Sequence, residues 1–238
     1  MKARSLASAS LALLLPLSAC HEPGSAISPH EQSVNPGIND SYKNVNVDDW
    51  VKRFESESRE IYTEREHIVA DTGVRPSMTI ADIGAGTGFF SLMFAKTTGP
   101  RGKVYSVDIT PEFLSHIKKL ASAAGLDNVE TVLCRADSVE LPAQSVDLAF
   151  ICDVYHHFEY PRSSMRSLYR ALRPGAELVV IDFHRIKNVT RDWVMGHVRV
   201  GMATVTSEIL SVGFELVSED APSAKLTENY FLRFRKPD

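Results

Sequence analysis

Positive charge is in short supply along this chain. Its 26 Lys and Arg face 30 Asp and Glu, a formal net charge of −4, which argues against a nucleic-acid binder. Cysteine is rarer still, with Cys20, Cys134 and Cys152 the only three. No Cys or His set stands at zinc-like spacing. The adjacent pair His156-His157 lies behind Asp153, but neighbouring residues diverge in direction and no third or fourth ligand follows, so no metal site is expected. The longest N-terminal apolar run falls short of the roughly 20 residues that span a bilayer. The one glycine-rich turn, at Gly84, Gly86 and Gly88, has no lysine after it, which excludes a Walker phosphate loop. Its third glycine also comes one residue too early for the dinucleotide fingerprint, with Phe89 where that fingerprint needs glycine.

What is present begins with a leader. Lys2 and Arg4 carry positive charge, residues 5–16 are mostly Leu, Ala and Ser, and Leu17-Ser18-Ala19-Cys20 follows. That is an n-region, an h-region and a small-residue cleavage site. Leu-Ser-Ala-Cys resembles the bacterial lipoprotein box, which implies lipidation of Cys20. His21 rather than Asp at the next position would favour the outer membrane. Residues 20–40 are polar and broken by Pro23, Gly24, Pro29, Pro36 and Gly37, and read as a flexible tether.

The stretch Thr79-Ile80-Ala81-Asp82-Ile83-Gly84-Ala85-Gly86-Thr87-Gly88-Phe89-Phe90 reads as a buried strand, a tight turn and a helix start. Alternate glycines allow positive φ and expose bare main chain, and the amides at the helix mouth favour an anionic or polar ligand. Twenty residues beyond Gly88, a second predicted strand ends in Asp108, where a carboxylate can accept two ribose hydroxyl hydrogen bonds. The pattern D-x-G-x-G-x-G resembles the first motif of the class I S-adenosylmethionine-dependent methyltransferases. The run L-R-P-G-A-E-L-V-V-I-D from Leu172 to Asp182 is similar to the same family.

That resemblance covers about residues 76–236. It implies a Rossmann-like α/β fold with a mostly parallel seven-stranded sheet and an antiparallel C-terminal hairpin. It also implies S-adenosylmethionine as cofactor, held by Asp82, Gly84, Ala85, Gly86, Thr87 and Gly88. Asp108 and Ile109 would meet the ribose and Ala136 and Asp137 the adenine, while Asp153 would face the glycine loop across the cleft. In that sheet order Cys134 and Cys152 end strands separated by two others, about 14 Å apart at about 4.8 Å per strand. A disulfide needs Cα atoms within about 7 Å, so both are expected as free thiols. Residues 41–75 carry one or two amphipathic helices, with Asp48 as a plausible N-cap and Trp50, Phe54, Glu57 and Ile61 at helical spacing. They suit either a lid over the cleft or a solvated flank, with Arg59 among their polar residues.

Methyl transfer needs alignment of a nucleophile and, where it carries a proton, a base near neutrality. His156 and His157 are the first candidates and His184 the reserve. Trp193, His197 and Arg199 fall in a less regular stretch and are candidate substrate contacts, although a surface connection is the safer reading. The expected acceptor is a small or lipid-like molecule, with no nucleic-acid partner and a membrane reached through the anchor. A catalytically inactive binding protein on the same fold and a nicotinamide oxidoreductase are the rival readings, and an arsenite methyltransferase would need more thiols than Cys134 and Cys152. The leader predicts an exported, lipid-anchored protein, whereas S-adenosylmethionine is made in the cytoplasm; an ordinary cytoplasmic enzyme is the alternative. A start at Met78, the next methionine, would delete the N-terminal helices.

Overall fold

The computed structural model describes residues 31–238. The expected signal peptide, Cys20 and the first part of the tether lie outside the described residues. Three short helices come first: α1 (Val47–Phe54), α2 (Glu60–Thr63) and α3 (Arg65–Asp71). Strands and helices then alternate through β1 (Thr79–Ile83), α4 (Phe89–Thr98), β2 (Lys103–Asp108), α5 (Pro111–Ala123), β3 (Val129–Leu133), β4 (Val146–Cys152), α6 (Pro161–Ala171) and β5 (Leu172–Phe183). The chain closes with α7 (Asp192–His197), α8 (Met202–Leu210), β6 (Glu215–Ser218) and β7 (Asn229–Arg235).

The seven strands form one sheet in the order β3-β2-β1-β4-β5-β7-β6. The first five pair in parallel, while β7 runs antiparallel between β5 and β6. This is the expected fold class. Continuous apolar strands form here because both faces of the sheet are covered. Ile80 and Leu148 pack on one side with Phe90, Phe94 and Ile68. Their neighbours Ala81 and Ala149 pack on the other side with Leu168 and Ile209, as the two-residue strand period requires. Cys134 and Cys152 are both free, with β2 and β1 between their strands.

Three local expectations change. The cap of α1 is Asn46, whose side chain accepts from the Asp48 N–H at 3.2 Å, so the helix starts one residue before Asp48. It also ends at Phe54, leaving Glu57 and Ile61 to other segments. The sequence also reads Arg173-Pro174-Gly175 as a turn that stops a helix ahead of the next strand, but in the fold it is part of a long, irregular β5.

The tether boundary moves as well, because residues 31–40 lie along the domain. Glu31 accepts from the N–H groups of Arg162 at 3.1 Å and Ser163 at 2.7 Å, placing a carboxylate on unpaired amides at the start of α6. The Val34 N–H donates to the Glu159 carbonyl at 2.8 Å, and Asn39 donates to the His157 carbonyl at 3.1 Å. Among the described residues no helix is long and apolar enough to cross a membrane.

Candidate cofactor and acceptor site

The sheet order reverses between β1 and β4, since the chain leaves β1 towards β2 and β3 and then returns to the other side. Loops leaving the carboxyl ends of those two strands diverge, and open α/β sheets bind ligands in the resulting crevice. Here the crevice is a cavity of about 440 Å³. Its walls include the loop Gly84–Thr87, Asp108, Asp153 and the pair His156-His157, roofed by Tyr42, Phe54 and Arg59 from the N-terminal segment.

The three glycines do different work. All have positive φ. A Cβ on Gly84 would lie 2.4 Å from Val154, and one on Gly88 would lie 2.5 Å from Ile117. At Gly86 the nearest atom belongs to the Phe54 ring at 3.4 Å. Gly84 and Gly88 therefore serve close packing, and Gly86 keeps the main chain open under the lid. Gly88 caps α4 and stays out of the cavity wall. The Thr87 hydroxyl in the same loop is buried with no hydrogen-bond partner, an atom that a ligand lying on the loop would satisfy.

Asp108 holds the loop as well as facing the cavity. One carboxylate oxygen accepts from the Gly86 N–H and the other from the Thr110 N–H, both at 2.8 Å. Each oxygen keeps a further lone pair for a ribose hydroxyl. Burial pushes its pKa up. Asp82 sits deeper, accepting from Ser91 Oγ at 2.6 Å, with Ser106 in turn donating to Ser91. Burial pushes its pKa up to about 7. Ile109 and Ala136 line the cavity, but Asp137 does not. The Arg135–Ser138 bridge folds that segment into a tight turn, and Asp137 points outward to pair with Arg135 at 3.3 Å. The adenine contact expected of Asp137 is thus not preformed in the cavity wall, where Ala136 and Arg135 border that part of the cavity.

Asp153 has φ +53°, unusual for a residue with a side chain, and such strain marks positions that the surroundings overdetermine. Its carboxylate takes the Arg59 guanidinium at 2.5 Å and the Asn229 amide. Burial raises its pKa to about 6 against the opposing charge of Arg59. Arg59 accordingly locks the N-terminal segment onto the cleft, which makes that segment a roof rather than a solvated flank.

His156 is 3% exposed, and its Nδ1 lies 2.7 Å from Asp182, whose other oxygen takes the His156 backbone N–H at 3.0 Å. Burial alone would lower the imidazole pKa, but the charge and hydrogen bond of Asp182 together outweigh it and the net shift is upward. His157 lies beside it, ring centroids 4.3 Å apart. Burial, with the neighbouring His156 and His197, pulls the His157 pKa down to about 3. That makes it a poor proton acceptor near neutrality. His184 packs on Tyr230 outside the cavity wall and is not brought to the site.

Sequence reasoning missed Asp182, Asn229 and the part played by His197, which reaches the cavity from α7. An aspartate closing an otherwise apolar strand was the signal for Asp182. Nothing local signalled Asn229, whereas His197 and Trp193, candidate substrate contacts in the sequence, do line the cavity.

The methyltransferase domain family matches residues 75–227. The chain belongs to that family. This methyltransferase domain is 30% identical over 118 residues to the ubiquinone/menaquinone biosynthesis C-methyltransferase of Bordetella parapertussis, covering 50% of the chain and 45% of the relative. The Escherichia fergusonii enzyme of the same name is 31% identical over 115 residues, covering 48% and 46%. The chain thus spans about half the length of these relatives. Its fold is similar to a SAM-dependent methyltransferase from Aquifex aeolicus, with TM-score 0.68, 22% identity, and 81% of this chain and 99% of that one covered. It is also similar to a possible exported protein of Bordetella parapertussis, with TM-score 0.58, 16% identity and 85% of each chain covered.

S-adenosylmethionine is the cofactor this fold implies, and the residues fit it. The open backbone at Gly86, the unpartnered Thr87 hydroxyl and the spare lone pairs of Asp108 are the groups that would hold it. Asp108→Ala is expected to weaken S-adenosylhomocysteine binding about ten- to a hundredfold, the worth of a hydrogen bond to a charged acceptor. Unchanged calorimetric affinity in that variant would remove Asp108 from the ribose.

Proposed function

We propose that this domain transfers a methyl group from S-adenosylmethionine to a small-molecule or lipid-like acceptor in the same cavity. The observation that carries this reading is the meeting, in one cavity, of the glycine loop with its unpartnered Thr87 hydroxyl and the buried His156–Asp182 pair. Bound S-adenosylmethionine supplies an electrophilic sulfonium methyl group open to in-line displacement. The protein binds, aligns and screens. Gly86, Thr87 and Asp108 hold the cofactor end. Phe54 and Trp193 give the cavity apolar wall, and the histidines provide its polar end. Asp182 fixes the His156 ring through Nδ1, which leaves Nε2 available at the acceptor end of the cavity. The C-methyltransferase names of the relatives support a quinone-like or phenolic acceptor. The test is a screen of lipid, quinone and phenolic acceptors, reading S-adenosylhomocysteine release. Binding of S-adenosylhomocysteine without turnover on any acceptor would favour a non-catalytic binding protein.

The leader supports export and lipidation at Cys20, with the outer membrane favoured by His21. A fold neighbour described as a possible exported protein is in keeping with that reading. Wild type is expected in the membrane fraction with lipid mass on residue 20, and Cys20→Ala in the soluble fraction. Wild type in the cytoplasmic fraction without lipid mass would make this an ordinary cytoplasmic methyltransferase.

A further inference from the structure

We infer that His156, His157 and His197 form a site for one divalent first-row transition metal, open towards the acceptor end of the cavity. One ligand nitrogen from each ring lies within 4.8 Å of the other two. His157 and His197 face each other through Nε2 atoms 3.3 Å apart. Two ligands at about 2.0 to 2.1 Å from a tetrahedral zinc are separated by about 3.3 to 3.4 Å, so this edge of the polyhedron is already formed. Closing the remaining distances falls to His197, a half-buried residue at the end of the six-residue α7.

Three further observations point to the same occupant. Asp182 takes Nδ1 of His156 at 2.7 Å and leaves Nε2 to ligate, the carboxylate–histidine arrangement that orients metal ligands. The cluster is also short of hydrogen-bond partners. His157 Nδ1 is buried with none, and the Nε2 of His157 has two long contacts, to the His197 ring at 3.3 Å and the Tyr42 hydroxyl at 3.4 Å, that a metal ion would replace. Finally, the chemistry of the donors selects the ion: imidazole nitrogens suit zinc, copper, nickel or cobalt, whereas calcium and magnesium require oxygen ligands. In the sequence the adjacent histidines diverge in direction and lack a third partner, so no metal site is expected there. In the fold their rings lie side by side, and the partner arrives 40 residues later from another helix.

Three protein ligands leave a coordination position, the pattern of catalytic rather than structural zinc sites. Its role here rests on the cavity being the acceptor pocket, although metal binding itself does not. An acceptor hydroxyl ligated at that position would have its pKa lowered and would be held as the oxyanion, its proton passing to solvent. The proposal therefore narrows the acceptor to a molecule with an oxygen next to the methylation site, such as a phenol or an enolised ketone.

The test uses the full chain after chelator treatment, titrated with Co²⁺ and followed by visible d–d absorption, and with Zn²⁺ in competition with a chromophoric chelator. One equivalent per chain with a four- or five-coordinate cobalt spectrum is expected. His197→Ala should weaken binding at least about 100-fold and Asp182→Asn about 10- to 100-fold. S-adenosylhomocysteine affinity should be unchanged in His197→Ala, and its calorimetric signal reports that this variant is folded. No stoichiometric Co²⁺ binding by wild type, or equal binding by His197→Ala, would overturn the site. Loss of S-adenosylhomocysteine binding in wild type would instead count against the methyl-transfer reading.

Discussion

Replacing His156 by Gln is expected to lower kcat by about 10²- to 10⁴-fold while S-adenosylhomocysteine affinity stays near wild type. His156 is the one histidine of the cleft whose ring is fixed by a buried carboxylate, with Asp182 itself 1% exposed. Glutamine keeps a polar group there but loses the imidazole Nε2, so acceptor activation goes and the cofactor end is untouched. His184→Gln should keep full activity, because that ring lies against Tyr230 and not on the cavity wall. Steady-state kinetics on the acceptor found by screening, paired with calorimetry, separates the two effects. Wild-type turnover in His156→Gln would take the histidine cluster out of the chemistry.

Gly84→Ala and Gly86→Ala should fail in opposite ways, although the two positions are only two residues apart. At Gly84 a methyl group must occupy a left-handed backbone at φ +72° and overlap Val154 at 2.4 Å. The backbone cost is about 1 to 2 kcal/mol and the overpacking about 1 to 3 kcal/mol. In a domain of this size, a Tm loss on the order of 5 to 15 °C follows. At Gly86 the conformational cost is similar, but the nearest contact is the Phe54 ring at 3.4 Å, which leaves the packing nearly intact. The added methyl instead stands where the cofactor must approach bare main chain, and S-adenosylhomocysteine affinity should fall about tenfold or more. Thermal melting and calorimetry on both variants check the contrast. A Gly84→Ala protein that melts like wild type, or a Gly86→Ala protein that binds like wild type, would contradict this division of roles.

Local patterns in the sequence were enough to place the glycine loop between a buried strand and a helix, to put Asp108 at the next strand end, and to locate His156 and His157 at the mouth of the fourth strand. They also carried the alternation of strands and helices that makes a doubly covered sheet. All of these depend on conformational preferences and burial periods that extend over a few residues, so neighbouring side chains suffice to specify them. Asp137 marks the limit of that reasoning, because a tight turn of four residues sends its carboxylate outward to Arg135. The remaining partnerships join distant parts of the chain: Arg59 to Asp153, Asp182 to His156, His197 to His157, and Glu31 to the start of α6. Each depends on how the crossing segments leave the sheet and on which face of a helix or loop meets the cleft. Those features arise only when the core on both sides of the sheet closes, so the sequence alone determined the fold and the cofactor loop, and the tertiary structure decided which side chains meet above it.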